Sequence, residues 1–563
     1  MISFFNWATP IICGVFFVNC LDSQKPKLVI SLDSTQLETI DPNEALTWTK
    51  CYSSYQCTHL KVPLNYSQSN GVSAVIPLIR LPSKLGPDSV EYRGPLIVNP
   101  GGPGGSGVNF VASNGHFLSS IVGPEFDIVG FDPRGIGRSY PSAKFFETAA
   151  ERALWLQAEF PDALNASPDV LPRSWARAQI MGQLAEERDN ATLKHITTDN
   201  IARDMLRISE ACGRAQVQYW GFSWGTILGV TFAAMFPNRI RRVVLDGVIN
   251  AEDYYATLWF DNLIDTNKTM NAFFDGCAAA GPEACAFYAP NATAISQKLD
   301  DLYDTVRAVP VPVRTASSYG LVDYSKLRRA VFTALYSPYE RFASLAKALS
   351  DLSSGDGTAL IDILGAPNFE CGDDSEPSSP DIYESGTTLH CVDGEEVHDS
   401  PEELQAFYEK MAQLSTLAEL WAVIRIRCSG WRVRAGKHFT GPFLGNTSFP
   451  ILFVGNTADP VAPLSAAHKS SAAFPRSVVL TQDSPGHCSL SASSLCTQKH
   501  VREYFLHGTL PKRGTVCPVD EELFPTSLGG SVHKRLDEHS EEDARMFDSI
   551  QALRRSFRIQ LPV

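Results

Sequence analysis

Three things are missing from this 563-residue chain, and each absence closes off a class of protein. There is no excess of positive charge: 48 Lys and Arg stand against 62 Asp and Glu, a net charge of −14. The cluster Arg239-Ile240-Arg241-Arg242 is short and reads as a helix-to-strand connection. Nucleic-acid affinity rests on clustered cations, so no nucleic-acid partner is expected. Beyond the N-terminus there is also no apolar run near the ~20 residues that a bilayer crossing needs. Finally, no Cys-x-x-Cys pair, no Cys/His zinc spacing and no Gly-Lys-Ser/Thr occurs. Neither a metal nor an organic cofactor is expected.

What is present begins with an apolar stretch, Trp7–Cys20 (ATPIICGVFFVNC at its heart), too short to span a membrane. Although no Lys or Arg precedes it, residues 1–20 read as a signal for export, leaving no membrane partner once removed. Of thirteen cysteines, eleven remain beyond that segment, several close in sequence: Cys51/Cys57, Cys277/Cys285, Cys371/Cys391 and Cys488/Cys496. Disulfides explain them better than zinc, with Cys212 expected to be the odd thiol. Six Asn-x-Ser/Thr sequons begin at Asn65, Asn165, Asn190, Asn267, Asn291 and Asn446. With the signal and the cysteines they point to a secreted, extracellular glycoprotein.

Two blocks of short apolar strands bracket a helical middle. Leu60–Leu64 and Val75–Leu81 suggest an antiparallel pair; Pro95–Val98, Phe126–Phe131, Val217–Gly221 and Arg242–Leu245 follow. Their continuous β-branched and aromatic character suits strands buried on both faces of a parallel sheet. The spacing of Ile201, Met205, Ile208 and Cys212 predicts a helix over Asp199–Ala215, with Asp199 as N-cap. From Ala251 to Phe439 the strand pattern vanishes, and Thr293–Val309, Ser325–Leu352 and Pro401–Ile424 read as helices. Strands return at Pro450–Gly455 and Ser477–Thr481. This divides the chain into 1–20 signal, 21–250 first part of an α/β core, 251–439 helical cap, 440–526 second core part and 527–563 charged tail. Glu541–Phe557 fits an amphipathic helix within that tail.

Gly221-Phe222-Ser223-Trp224-Gly225 sits between an expected strand and the helix-forming run Thr226–Phe236. That is the nucleophile-elbow pattern of the α/β-hydrolase fold in its required context, and it makes Ser223 the candidate nucleophile. A serine needs a base and the base an orienting acid, which this fold supplies in the order Ser, acid, His. Asp459 follows the strand at Ile451–Val454, and His487 follows Asp483-Ser484-Pro485-Gly486 after the next strand. Asp246 is the rival acid, read as a turn residue, and Asp483 lies too near His487 to orient it. The glycine-rich Asn99–Gly107 loop (NPGGPGGSG) would supply an oxyanion hole, from the backbone amides of Gly102 and Trp224. Gly102-x-Gly104-x-x-Gly107 also satisfies the dinucleotide fingerprint, with Asp127 about 20 residues on. That reading fails because the loop does not open the fold and the helix after it looks weak.

Together these segments resemble the secreted tripeptidyl aminopeptidase-like branch of the α/β hydrolases, related to prolyl aminopeptidases. The resemblance runs from Cys51 to about Phe524. It is carried by Val62-Pro63-Leu64-Asn65-Tyr66, Asn99–Gly107, Asp127–Gly135 (DIVGFDPRG), Thr198–Ala202, Leu245-Asp246-Gly247-Val248, the Asp459 loop and Tyr504–Pro511 with Gly514–Cys517. It implies a serine exopeptidase that removes amino acids or short peptides from free N-termini beneath a helical cap. The family's catalytic residues carry over to Ser223, Asp459 and His487, and its oxyanion loop to Gly101–Gly104. Trp224 stands where many relatives have Tyr, which leaves the backbone amide unchanged. The middle of the chain resembles the family only weakly, so a carboxylesterase or tailoring hydrolase acting on a small acyl substrate is the alternative. A substrate amine would call for a carboxylate, with Glu252, Asp253, Asp261, Asp393 and Glu395 as candidates.

Overall fold

The computed structural model describes residues 40–68, 70–158, 162–315, 319–364, 382–525 and 540–557. The expected export segment 1–20, Cys371 and the start of the charged tail lie outside the described residues.

A ten-stranded sheet forms the centre, in the order β1-β2-β3-β5-β4-β6-β7-β10-β11-β12. Its strands are β1 (Thr49–Cys51), β2 (Tyr55–Pro63), β3 (Ser73–Leu81), β4 (Gly94–Asn99), β5 (Phe126–Phe131), β6 (Val217–Phe222) and β7 (Ile240–Asp246). After the insertion come β10 (Leu452–Ala458), β11 (Val478–Pro485) and β12 (Val516–Cys517). From β5 to β12 every pairing is parallel, while β1, β2 and β3 pair antiparallel and β3 meets β5 antiparallel. The buried strands serve both faces at once. Tyr219, Val243, Leu245 and Phe453 point into one core. Their neighbours Trp220, Phe222, Val244, Leu452 and Val454 point into the other. Continuous apolar runs follow from this double burial. The architecture is an α/β-hydrolase fold, a mostly parallel sheet with a large helical insertion.

Between β7 and β10 the chain is mainly helical, with one departure from expectation. A two-stranded antiparallel ribbon, β8 (Val311–Arg314) with β9 (Tyr319–Val322), stands where no strand pattern was read. Its four-residue strands are too short to show a period. The expected single helix Ser325–Leu352 is two, Tyr324–Tyr336 and Pro338–Ser353. Pro338 has no N–H to continue the first helix and sits at the first position of the second. In the helix Thr198–Ala211 the N-cap position falls on Thr197, so Asp199 lies in the first turn and is not the N-cap. The helix after the glycine-rich loop, expected to be weak, runs sixteen residues from Gly107 to Val122 with Ser106 as N-cap.

Tertiary contacts explain motifs that carried the family likeness. Arg134 is fully buried and grips Asp204 through Nε (2.7 Å) and Nη2 (2.6 Å). Tyr66 Oη donates to the same carboxylate at 2.7 Å, and Arg134 Nη1 donates to the Leu64 carbonyl at 2.8 Å. A buried charge pair is tolerated when every remaining donor finds a partner, as here. The stretch expected as a tail contains a docked helix, Glu541–Ser556, with Met546, Phe547, Ile550 and Leu553 buried beside the Gly107–Val122 helix.

Four disulfides are present among the described residues: Cys51–Cys57, Cys277–Cys285, Cys391–Cys428 and Cys496–Cys517. The first two join neighbours in sequence. The pairings suggested by proximity for Cys391 and Cys488 do not occur. Cys391 meets Cys428 across 37 residues, and Cys488 is a free buried thiol, as Cys212 is a free one. Closing a loop of that length restrains the unfolded chain by about 4 kcal/mol. Replacing Cys391 and Cys428 together by alanine is expected to lower unfolding stability by roughly that amount, read from the denaturant midpoint.

Candidate active site

Ser223 sits at the turn between β6 and the helix Trp224–Met235 with φ 56° and ψ −124°. Few non-glycine residues adopt a positive φ, and strain of this kind concentrates at functional turns. Close packing holds the turn in place. Ser223 N donates to the Asp246 carbonyl at 2.9 Å, and Tyr219 Oη donates to the Gly225 carbonyl at 2.8 Å. The glycine-rich loop lies directly against it. A Cβ on Gly101, whose φ is +89°, would clash with the Phe222 carbonyl and come within 2.8 Å of Ser223 Cβ. Glycine at this position is therefore a steric requirement.

The N-terminus of the Gly107–Val122 helix is already occupied. Asp132 Oδ1 accepts from Ser106 Oγ (2.5 Å) and Val108 N (3.1 Å), and Oδ2 accepts from Arg138 N (3.0 Å). A carboxylate sits where a dinucleotide's pyrophosphate would bind, which removes that reading even though the helix is well formed.

Asp459 and His487, 28 residues apart in sequence, are brought into contact by the adjacent strands β10 and β11. Both are buried, and His487 Nδ1 lies 2.9 Å from each carboxylate oxygen. Since an ionised carboxylate only accepts, Nδ1 carries the proton and Nε2 keeps its lone pair. Asp459 Oδ1 also accepts from Val461 N (3.0 Å) and Ala462 N (2.9 Å), and Oδ2 from Cys488 N (2.9 Å). Those bonds leave the carboxylate no freedom to turn.

Residues of the insertion hold this pair. Asn262 Nδ2, Thr266 Oγ1 and Thr269 Oγ1 each donate, at 2.7 Å, to the carbonyls of Val461, Pro460 and Ala458 around Asp459. Tyr336 accepts from His487 N at 2.9 Å and sets its ring edge-on to the imidazole, 5.2 Å between centroids. From the core side, Asn456 Nδ2 donates to the Gly486 and Cys488 carbonyls, both at 2.8 Å. Asp246, the rival acid, is engaged elsewhere: its carboxylate accepts from Ser489 N (2.7 Å) and Ser489 Oγ (2.6 Å). Burial pushes the Asp246 carboxyl up to about 6. Burial also holds the Cys488 thiol well above its ordinary range, so this cysteine stays protonated.

Ser223, Gly102 and Trp224 share one narrow cavity, whose enclosed part is about 10 Å³, room for about one water. Its other walls, Ile249, Trp259, Asn262, Tyr336, His390, Trp421 and Val461, come mostly from the insertion. None of these was singled out by sequence reasoning, since each is one residue in a separate loop or helix. None of the five acids considered for a substrate amine lines this cavity. Glu252 pairs with Lys469 at 2.7 Å, and Asp253 accepts from Asp261 N at 2.9 Å. Asp261 accepts from Asn250 Nδ2 at 2.6 Å. Glu395 is exposed. Asp393, pushed up to about 6 by burial, accepts from Thr198 Oγ1 (2.6 Å) and Tyr254 Oη (2.9 Å). Tyr254 Oη in turn accepts from Trp224 Nε1 at 3.1 Å, which anchors the residue after the elbow serine.

Two family models match the chain, one described as alpha/beta hydrolase fold over residues 94–285 and one as TAP-like protein over 415–517. Serine protease Hip1 of Mycobacterium tuberculosis is 28% identical over 84% of this chain and 91% of its own length. Tripeptidyl aminopeptidase of Streptomyces lividans is 27% identical over 84% of this chain and 86% of its own. The chain belongs to the TAP-like α/β-hydrolase family. This TAP-like protein is accordingly a serine hydrolase. It is also similar to carboxylesterase B of Mycobacterium tuberculosis, 28% identical over 82% of this chain and 86% of that one. A solved epoxide hydrolase from an endophytic Streptomyces covers 77% of the TAP-like chain and 90% of its own at 14% identity, with a TM-score of 0.29. Among the described residues no helix is long and apolar enough to cross a membrane.

Proposed function

We propose that this protein is a secreted aminopeptidase that releases amino acids or short peptides from free N-termini through an acyl-enzyme on Ser223. The observation that carries the reading is the shared cavity of Ser223, Gly102 and Trp224 beside a buried, fully hydrogen-bonded Asp459–His487 pair. Ser223 Oγ attacks the scissile carbonyl carbon while His487 Nε2 takes its proton. Asp459 keeps the imidazole in the tautomer that can do so and stabilises the imidazolium that results. The carbonyl oxygen gains its negative charge next to the Gly102 and Trp224 amides, at the N-terminus of the elbow helix. His487 then protonates the departing amine, and the acyl-enzyme forms as the C–N bond breaks. Water, deprotonated by His487, attacks the ester, and Ser223 leaves with the proton returned to its oxygen.

Peptidase action is supported by the two relatives named as a protease and an aminopeptidase. Export is supported by the apolar segment Trp7–Cys20 and by four disulfides, which persist in oxidising compartments. A second reading, a carboxylesterase, is favoured by a relative of that name at equal identity and by the lack of a carboxylate among the described residues of the cavity walls. Aminoacyl- and tripeptidyl-arylamides with free or acetylated N-termini separate the two. Cleavage of the free-amine amides, falling about a hundredfold or more on acetylation, is the expected result. Equal cleavage of blocked amides, or turnover of aryl esters alone, would transfer the assignment to the esterase.

A further inference from the structure

One helix of the insertion, Ile382–Asp393, reaches both elements that carry the oxyanion amides. Its first turn lies on the glycine-rich loop. A Cβ on Gly104, two residues after Gly102, would come within 2.5 Å of Ile382 Cγ1 and 2.9 Å of Ser385 Oγ. Its last residue reaches the elbow through a single intermediary. Asp393 Oδ2 accepts from Tyr254 Oη at 2.9 Å, and Tyr254 Oη accepts from Trp224 Nε1 at 3.1 Å. All three side chains are buried. An indole N–H only donates and a carboxylate only accepts, so the phenol between them uses its one proton toward Asp393.

Both ends of this helix are pinned to the first core part. Glu384 Oε1 accepts from Phe145 N (2.7 Å) and Phe146 N (3.2 Å), and Oε2 accepts from Arg152 Nη1 (3.0 Å). Asp393 accepts from Thr198 N at 2.8 Å and from Thr198 Oγ1 at 2.6 Å. The disulfide Cys391–Cys428 adds a covalent tie to a neighbouring helix of the insertion. A helix held in this way is a fixed frame. Trp224, for its part, opens the elbow helix, and the first N–H groups of a helix have no acceptor within it. Its amide is therefore available to the substrate oxygen, and its aim depends on what holds the residue. Ser223 N donates to the Asp246 carbonyl, and Thr226 Oγ1 donates to the Ser223 carbonyl at 2.6 Å. Those bonds hold the serine; the indole bond holds Trp224 by its own side chain. An oxyanion donor has to lie within about 2.7–3.1 Å of the charge, so a small displacement matters.

We infer that the helix Ile382–Asp393 frames the oxyanion hole from both sides, and that Tyr254 is a positioning residue that keeps the Trp224 amide on target. The inference rests on the proposed mechanism, with Ser223 as nucleophile and Gly102 and Trp224 as donors. Tyr254→Phe deletes only the bridging hydroxyl. It is assayed on whichever arylamides or aryl esters the wild type cleaves, with active sites counted by fluorophosphonate labelling of Ser223. Unfolded molecules then drop out of the rate. The hole acts in both formation and breakdown of the acyl-enzyme, so kcat per active site is expected to fall about tenfold. KM is expected to stay within about twofold, because the interaction strengthens only in the transition state. Trp224→Phe removes the same bond from its other end. The double variant is expected to lose no more than the weaker single variant, within about twofold, since both changes break one link. Should Tyr254→Phe not fold, Trp224→Phe decides by the same split of kcat and KM. An unchanged kcat, a loss confined to KM, or losses that multiply in the double variant would overturn the positioning role alone. Turnover that survives Ser223→Ala overturns the proposed mechanism, and the inference with it.

Discussion

Replacing Ser223 by alanine is expected to lower kcat/KM by about 10⁴-fold or more, for amide and ester substrates alike. The size of the loss follows from what alanine removes. Without Oγ no acyl-enzyme forms, and residual turnover comes only from substrate binding and the oxyanion amides. Stability is expected to stay near wild type, because the change leaves the strained turn as it is. Alanine keeps the Cβ at φ 56°, and the backbone bond from residue 223 to the Asp246 carbonyl does not depend on the side chain. Unfolding midpoints measured beside the kinetics check this. A variant that retains more than about a hundredth of wild-type activity would place the nucleophile elsewhere.

Asparagine at Asp459 is expected to cost about 10³- to 10⁴-fold in kcat, and asparagine at Asp246 less than about tenfold. The two carboxylates differ in what surrounds them. Both oxygens of Asp459 accept from N–H donors, three on the backbone and one on His487. An amide there turns an NH2 toward one set of donors and favours the wrong imidazole tautomer. Asp246 accepts from the N–H and the hydroxyl of Ser489, with the Trp220 side chain beside it. The hydroxyl can reverse and accept from the new amide, so the loop carrying His487 stays in place. Equal losses in both variants would leave the choice of acid open to Asp246 after all.

The same pair of variants carries a pH signature. Burial raises the folded Asp246 carboxyl from 3.8 to about 6, so the folded protein holds this proton more tightly than the unfolded chain. Its contribution is therefore fully present below about pH 4 and is lost as pH rises through 6. Asp246→Asn is not subject to that loss. Its stability relative to wild type is expected to improve between pH 4 and pH 7 by up to about 3 kcal/mol, read from paired unfolding curves.

Strands and the elbow were legible because their marks are local. β5 matches its expected bounds at both ends, and Gly221–Gly225 is read from five consecutive residues between a strand and a helix. Asp459 and His487 could be named from strand-to-turn context alone. Other features were not local and were read wrongly or not at all. Short spacing suggested that Cys488 pairs with Cys496, yet Cys488 sits next to Gly247 and bonds the Asp246 carbonyl at 3.4 Å. Cys496 pairs with Cys517 instead. The helix after the glycine-rich loop was underrated because its glycine, asparagine and serine residues have modest helix propensity. Its burial between the sheet and the Glu541–Ser556 helix overrides that preference.

By itself, then, the sequence marked eight of the ten strands of the sheet, the elbow and a candidate serine, acid and base, since each rests on neighbours along the chain. Only the tertiary structure decided the cavity. Ile249, Trp259, Asn262, Tyr336, His390 and Trp421 converge on Ser223 from segments spread over more than a hundred residues. No period links them, because helices of the insertion each contribute one or two side chains and spend the rest on their own core.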